Sequence, residues 1–312
     1  MADIPSDRVQ ALLKDVKINI PSHCDVKLDE LHDFPAFKTW ITTFDKPLKA
    51  QSNPSHPFHD DPYKLGNINI QSVDRFSGSR LGFVKFKARV ENDAGERFAG
   101  SVFMRGGSVA MLLVLRAKGS SSQDQGSSGN NSNEQSSNKK VKHDAVQQGE
   151  EYVILTTQPR IPAGSLSFTE IPAGMLDDSG TFSGAAAKEI EEETGLTIEE
   201  DDLVDLTQMT SELHNEDSNG ADEEGEETLQ AAMYPSPGGS DEFIPIFYCR
   251  KDMAVGEIEQ LQGKLTGLRD HGEKITLRIV NLHDAWKIVF RDGKSLAALS
   301  LLDGLRREGK VS

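Results

Sequence analysis

The distribution of apolar side chains predicts that strands dominate the middle of the chain. Residues 110–115 and 152–155 are short, continuous apolar runs, which are typical of strands buried on both faces. Residues 81–90 form a third predicted strand, whose apolar side chains are Phe83, Val84, Phe86 and Val90.

Helical spacing is found elsewhere in the chain. Residues 183–193 have a helical pattern that Gly195 can end, and residues 294–307 place Leu296, Leu299 and Leu302 on one stripe. The order is therefore strands, helix, strands, helix, and the chain contains no internal repeat. Two further helices are predicted near the N-terminus, at residues 8–18 and 33–44.

Two polar stretches interrupt these elements. Residues 119–138 contain no hydrophobic side chain and cannot bury enough surface to fold, so we expect a disordered insertion within 119–150. Its place between two predicted strands suggests an enlarged hairpin tip, where extra length adds closure entropy only logarithmically. Residues 212–228 hold eight Asp or Glu and no Lys or Arg, which predicts an acidic loop within 211–230.

Net charge and cysteine content limit which binding partners and cellular compartments the sequence favours. The 312 residues carry a net charge of −16, which opposes binding to nucleic acid or to anionic lipid. Cys24 and Cys249 cannot build a disulfide framework, and neither a membrane span nor a signal peptide is visible. We expect a soluble, cytoplasmic protein. A short basic cluster makes nuclear import an alternative, although it could equally keep a loop soluble: Lys139, Lys140, Lys142 and His143.

An acidic cluster on the predicted central helix is the first candidate for chemistry. Glu189, Glu192 and Glu193 stand at i, i+3 and i+4, so they share one broad helix face and repel each other. Mg²⁺ would reverse this repulsion because it takes oxygen ligands and bridges carboxylates to phosphates. The loop before the helix could add the carbonyl oxygen of Ala173. A solvated acidic helix face is the alternative interpretation of these three residues.

The longer pattern around this cluster resembles the Nudix box. Gly174 is followed after five residues by Gly180 and after seven more by the segment 188–196, which reads KEIEEETGL. Gly180 stands where the family has Glu, and Lys188 stands where it has an Arg that orients a catalytic carboxylate. Lys cannot reproduce the two-pronged pairing of Arg. The spacing and the metal-binding glutamates are kept, so the chain is identified as a member of the Nudix family.

Flanking segments are similar to the ADP-sugar diphosphatase branch of that family. The resemblance implies Mg²⁺-dependent hydrolysis of the diphosphate bond of ADP-ribose or ADP-glucose, with Mn²⁺ as a substitute, to AMP and a sugar phosphate. A catalytically weak nucleotide-sugar binding protein and a hydrolase of another nucleoside diphosphate derivative are the alternatives. The segments are RGGSVAMLLVL from Arg105, TTQPR to Arg160, FTEIPAGMLDD from Phe168, PSPGGSDE over 235–242 and TGLRDHGE over 266–273.

The same resemblance implies a set of site residues. The implied metal ligands are Ala173, Glu189, Glu192 and Glu193. The implied catalytic residues are Glu192, Glu193 and the general base Glu273, for which Asp270 and His271 are rivals. The residues implied to face the substrate are Arg105, Arg160, Glu170 and Glu242.

The implied fold is α+β. Residues 105–312 would form a Nudix α/β/α sandwich with a mixed sheet. Residues 1–104 would form a small antiparallel, β-rich N-terminal domain through which the chain forms a homodimer. The partners implied are the ADP-sugar substrate and a second copy of the chain, with no nucleic acid and no membrane.

Overall fold

A computed structural model describes most of the chain as two β-sheets with helices packed against them. The described residues are 4–76, 80–119, 145–176, 181–217, 229–267 and 274–312. The elements of the N-terminal part are α1 (Ser6–Leu12), β1 (Lys17–Asn19), α2 (Leu28–Asp33), α3 (Pro35–Ala50), β2 (Lys64–Arg75), β3 (Leu81–Glu91), β4 (Arg97–Phe98) and β5 (Ser101–Met104).

The first sheet has the order β1-β2-β3-β4, with β5 also paired to β3. The predicted strand over 81–90 is confirmed as β3, whose inward side chains include the buried Val84 and Phe86. Helix α3 covers that face with Phe37 and Ile41, which belong to the same core cluster. The predicted helix over 33–44 is therefore confirmed, although it continues to Ala50.

Two expectations for this part need correction. The helix predicted over 8–18 ends at Leu12, and Ile18 instead lies in β1 beside Ile68 of β2. That pairing is parallel, so the first sheet is not entirely antiparallel. The reason is the path of the chain, because α2 and α3 form the long crossover that two parallel strands require.

The second sheet has the order β10-β11-β6-β7-β13-β12, with β8 paired to β7 and β9 paired to β6. Its strands are β6 (Ser108–Lys118), β7 (Glu151–Arg160), β8 (Ser165–Glu170), β9 (Ala173–Met175), β10 (Val204–Asp205), β11 (Ile246–Ala254), β12 (Leu265–Thr266) and β13 (Ile275–Asn281). Its helices are α4 (Phe182–Thr194), α5 (Leu206–Asp217), α6 (Val255–Leu261), α7 (Ala285–Ile288) and α8 (Gly293–Arg307).

Helices cover both faces of this sheet. One core cluster joins it to α4 and α6, and another joins it to α5, α7 and α8. Strand β6 is accordingly buried without interruption from Ser108 to Leu115, as expected for a strand with helices on both sides. Because β11 and β6 run parallel while the other pairs are antiparallel, the sheet is mixed. The predicted α+β class with a mixed-sheet sandwich is confirmed.

The structure differs from the prediction in the buried face of the C-terminal helix and in the start of the acidic loop. On α8 the buried side chains include Ala298, Leu302 and Leu305, whereas Leu296 of the predicted stripe is 36% exposed. Helix α5 reaches Asp217, so the first part of the predicted acidic loop is helical. Most of both predicted insertions, 120–144 and 218–228, lies outside the described residues. Among the described helices, none has the length and apolar character needed to cross a membrane.

Candidate active site

Helix α4 positions the predicted acidic residues. It begins after Thr181, whose hydroxyl oxygen accepts the N–H of Gly184 at 3.0 Å, and it ends at Gly195, whose φ of 71° suits glycine. Ala186 and Ile190 are fully buried against the sheet. The helix is therefore held at both ends and along one face, which confirms the prediction over 183–193.

Glu193 lies on the buried side of α4 and is only 5% exposed. Its Oε2 accepts the backbone N–H of Ala173 at 3.1 Å, and its Oε1 accepts from Nε2 of Gln158 at 3.3 Å. Burial, reinforced by the charge of Glu189, raises the pKa of Glu193 to about 8, although the two hydrogen bonds act in the opposite direction. Among the described residues, no Lys or Arg pairs with this carboxylate.

Glu189 lies directly against the backbone of β9. A Cβ atom placed on Gly174 would come within 1.8 Å of the Glu189 carboxylate, so any other side chain at position 174 would displace that carboxylate. Gly174 itself is paired with Val109 of β6 and cannot retreat without breaking the sheet. The close approach of the Glu189 carboxylate therefore explains why the first position of the motif is a glycine.

Glu192 does not complete the expected group of three carboxylates. Within the described ranges, no three His, Cys, Asp or Glu side chains are grouped closely enough to hold one metal ion. Around the helix axis Glu192 points roughly 60° from Glu189 and roughly 100° from Glu193, on the far side of Glu189. The site that forms is therefore a pair, Glu189 and Glu193, beside the backbone of Ala173 and Gly174.

This pair fits a divalent cation. Mg²⁺ is commonly held by one or two carboxylates, with substrate phosphates and waters as its other ligands. A buried carboxylate whose ionisation is opposed by burial and by a second acid gains most from a cation placed beside it. The oxygen chemistry and the electrostatics of Glu189 and Glu193 both suit Mg²⁺ or Mn²⁺.

Glu170, predicted to face the substrate, is instead 2% exposed and paired with two cations. The Nε of Arg160 donates to its Oε1 at 2.6 Å, and the ammonium group of Lys294 donates to its Oε2. Lys294 also contacts Asp292 at 3.1 Å. Arg160 keeps a side chain that is 39% exposed. No motif in the sequence pointed to Lys294, which lies in the first turn of α8.

The N-terminus of α8 also fixes the loop that leads into the site. Asp292 accepts the N–H of Ser295 at 3.2 Å and the Ser295 hydroxyl group. The hydroxyl oxygen of Ser295 in turn accepts the N–H of Ile171 at 2.9 Å. Ile171 lies between Glu170 and Ala173, so one helix end holds the loop whose next residues contact Glu193.

Arg105 and Glu242, both predicted to face the substrate, form an ion pair at 2.9 Å. The Ser108 hydroxyl donates to Glu242 at 2.9 Å and accepts from Arg105 at 3.1 Å. Asp241, which the sequence reasoning missed, accepts the backbone N–H groups of Arg105 and Gly106 at 2.8 and 3.2 Å. Burial raises the pKa of Asp241, against the effect of these bonds.

This second cluster lies near the first. Ser108 is paired with Met175, which is two residues from Ala173, or roughly 7 Å along a strand. Arg105 and Asp241 also line a cleft of about 1240 Å³ between the two sheets, together with Trp40 of α3. The lining of the cleft includes Arg105 but neither Glu189 nor Glu193.

Four predicted residues lie outside the described part of the chain: Gly180, Asp270, His271 and Glu273. The described ends of the segment that carries the last three are paired, with Thr266 opposite Ile275. The Thr266 hydroxyl donates to the backbone carbonyl of Glu193. Thr266 therefore lies beside the end of α4.

Comparison with known sequences shows three similarities. The profile of the NUDIX domain matches residues 144–299. The chain is 34% identical over 282 residues to Nudix hydrolase 14, chloroplastic, of Arabidopsis thaliana, covering 90% of this chain and 74% of that protein. It is 47% identical over 49 residues to the putative nudix hydrolase 2 of Caenorhabditis elegans, covering 16% of this chain and 22% of that protein.

A solved structure described as an ADP compounds hydrolase aligns with 80% of this chain and 99% of its own chain. The sequence identity is 15% and the TM-score is 0.42.

Proposed function

The chain belongs to the Nudix family, and on that premise we propose that it hydrolyses the diphosphate bond of ADP-sugars such as ADP-ribose and ADP-glucose. Water adds to one phosphorus atom, the bridging P–O bond breaks, and AMP and a sugar phosphate leave. The observation that carries the proposal is the pair of carboxylates, Glu189 and Glu193, held against the backbone of β9.

Glu189 and Glu193 would hold Mg²⁺, or Mn²⁺ in its place, with Ala173 beside them and Glu192 at the outer edge. The bound cation supplies charge stabilisation for the diphosphate oxygens. Glu193 contributes a rigid carboxylate because both of its oxygens accept hydrogen bonds from N–H donors. Glu273 would take the proton of the attacking water, with Asp270 and His271 as rivals on the same segment.

Arg105 is our main candidate for contact with the substrate. It lines the cleft, its guanidinium group contacts Ser108 and Glu242, and a guanidinium group suits phosphate oxygens. Its Nε atom is buried and has no partner among the described residues. Glu242 would hold Arg105 in place. The exposed part of the Arg160 side chain would contact the substrate, while the ion pair with the buried Glu170 would hold Arg160 in place.

The size and lining of the cleft support a substrate larger than a free nucleotide. Its volume of about 1240 Å³ exceeds the roughly 300–1,000 Å³ of most small-molecule sites. Apolar side chains that include Trp40 and Phe243 line it beside Asp241 and Arg105. This lining suits a ligand with a flat, weakly polar part and a charged diphosphate.

The test is a substrate panel that contains ADP-ribose, ADP-glucose and dinucleotide polyphosphates, assayed with Mg²⁺ and with Mn²⁺. AMP and the matching sugar phosphate should appear from the ADP-sugars in either metal and not in excess chelator. Cleavage of dinucleotides alone would refute the ADP-sugar proposal while leaving a Nudix hydrolase.

A second candidate function is nucleotide-sugar binding with little turnover, and Lys188 is the observation that favours it. Lys188 occupies the position of an Arg that would grip a carboxylate with two bonds. Lys188→Arg should raise kcat by one or more tenfold steps if this substitution limits catalysis. Tight binding of ADP-ribose without hydrolysis by either form would favour the binding function.

We also propose a homodimer formed through the N-terminal domain, residues 1–104, and a cytoplasmic location. Light scattering on the purified chain should give twice the mass of 34.2 kDa. A monomer at working concentration would refute the dimer. Imaging of a tagged chain tests the location: additional nuclear signal would agree with the basic cluster of residues 139–143, and chloroplast signal would be the contrary result.

A further inference from the structure

Gln158 lies near the end of β7, and its side chain contacts Glu193 of the acidic pair. The end of β7 is irregular, with a shift of register between Gln158 and Arg160 in its pairing with β8. Such a shift re-aims side chains near a site. The Gln158 side chain points towards α4 and its Nε2 donates to Oε1 of Glu193 at 3.3 Å.

Gln158 is the only side-chain donor to the Glu193 carboxylate within the described ranges. The other donor, the N–H of Ala173, belongs to the backbone and binds the other oxygen, at 3.1 Å. The two donors together fix the rotation of the carboxylate plane. Each oxygen still has a second lone pair that can bind a cation.

The neutral charge of Gln158 matters as much as its donor group. A Lys or Arg at this place would pair with Glu193 and compete with an incoming cation. A primary amide holds the carboxylate without supplying charge. It also stands in a site where the family's orienting Arg is replaced by Lys188, which cannot grip a carboxylate with two parallel bonds.

We infer that Gln158 is a positioning residue for the divalent cation, because it orients the buried Glu193 carboxylate while leaving it free of a competing positive charge. This inference rests on the proposed metal site at Glu189 and Glu193. It adds a residue of β7 to a site that is otherwise built from α4 and β9.

The test measures Mn²⁺ binding to the full chain without substrate, by calorimetry, in two variants. Gln158→Met keeps the length of the side chain and removes the donor. Gln158→Lys keeps a donor and adds the competing charge. Both should weaken Mn²⁺ binding by about 10-fold to 100-fold, the usual effect of losing a group that orients a metal ligand.

Thr157→Val is the matched control. Thr157 is the preceding residue of β7 and points to the opposite face. Within the described ranges its side chain bonds to the hydroxyl of Thr169 in β8, at 3.0 Å. It should leave Mn²⁺ binding unchanged. Thermal unfolding without metal checks that all three variants fold, and Gln158→Lys should unfold at a higher temperature than the parent chain because its new charge pairs with Glu193.

Wild-type Mn²⁺ affinity in Gln158→Met would overturn the inference, and so would an equal loss in Thr157→Val. A parent chain that binds no Mn²⁺ would overturn it as well. If the parent chain cleaves no ADP-sugar while the Gln158 variants still lose Mn²⁺ binding, the proposed substrate is wrong and the role of Gln158 stands.

Discussion

Glu170 and Glu193 are two buried glutamates on either side of the loop at residues 171–172, and their surroundings carry opposite charge. Glu170 is 2% exposed and Glu193 is 5% exposed, so burial penalises both charges similarly. Glu170 receives two cations from the chain, Arg160 and Lys294. Glu193 receives only neutral N–H donors from the described residues, and the nearby Glu189 opposes its ionisation further.

The contrast shows how a chain can separate a structural acid from a metal-binding acid. A buried charge is costly unless it is paired, and Glu170 is paired permanently within the fold. Glu193 has no cationic partner among the described residues, so an external cation would balance its ionised form. Changes on the Glu193 side should therefore affect metal binding and catalysis, whereas changes on the Glu170 side should affect stability first.

Glu193→Gln should have the largest effect. The amide oxygen can still accept the N–H of Ala173, but the charge that holds a cation is gone. We expect a loss of AMP release on the order of 10²–10³-fold, as for other single electrostatic groups at active sites. Glu191→Gln, on the exposed side of the same helix, is the control and should retain activity. Full activity of Glu193→Gln at saturating Mg²⁺ would remove the proposed metal site.

Gly174→Ala should come next. Its new Cβ would overlap the Glu189 carboxylate at 1.8 Å, and the β9 backbone is held by β6. We expect weaker Mn²⁺ binding because the Glu189 carboxylate must move, and only a small change in the free energy of unfolding because the displaced group is the end of a flexible side chain.

Gly256→Ala in α6 is the matched control, since a Cβ there meets nothing within 4 Å. It should leave metal binding unchanged and should not destabilise the chain. Equal Mn²⁺ affinities of Gly174→Ala and the parent chain, measured by calorimetry, would show that Glu189 has room to move.

Lys294→Met tests the other side of the comparison. The substitution leaves Arg160 as the one remaining cation beside the buried Glu170 among the described residues. Breaking a buried ion pair lowers the free energy of unfolding by about 3–5 kcal/mol, and the remaining pair with Arg160 should reduce that loss. Chemical denaturation should show this loss, while Mn²⁺ affinity should fall much less than in Glu193→Gln. Lys287→Met, at an exposed pair with Asp284, is the control and should change stability little. Unchanged stability of Lys294→Met would mean that Glu170 does not depend on its second cation.

The sequence predicted the parts of this site that are local. The strands and α4 follow from spacing along one element, and the structure confirms them. The metal-binding roles of Glu189 and Glu193 follow from the same spacing and stay predictions. Glu192 is separated from Glu193 by roughly 100° around the helix axis, because i+3 and i+4 neighbours lie on opposite sides of residue i, and its role stays a prediction.

The contacts that the sequence could not predict join distant residues. Lys294 and Glu170 are 124 positions apart, and Asp241 and Arg105 are 136 apart. No periodicity or motif connects such pairs, since only the packing of the sheet and α8 brings them together. Gln158 belongs to the same class, because its partner Glu193 is on a different element.

A further expected effect is a dependence of stability on pH. The pKa of Glu193 rises from 4.5 to about 8 on folding, so between these pH values the folded chain keeps a proton that the unfolded chain has lost. The contribution of Glu193 to stability should therefore fall as pH rises through that range. Mg²⁺ binds the ionised form, so its stabilising effect should grow over the same range.

Thermal unfolding across this pH range, with and without Mg²⁺, measures both trends. In the metal-free parent chain Tm should decline relative to Glu193→Gln as pH rises, because the amide cannot ionise, and Mg²⁺ should restore the difference most strongly near pH 8. Glu191→Gln should follow the parent chain. Parallel curves for the parent chain and Glu193→Gln would show that Glu193 ionises as easily in the fold as in water. The contrast with Glu170 would then rest on geometry alone.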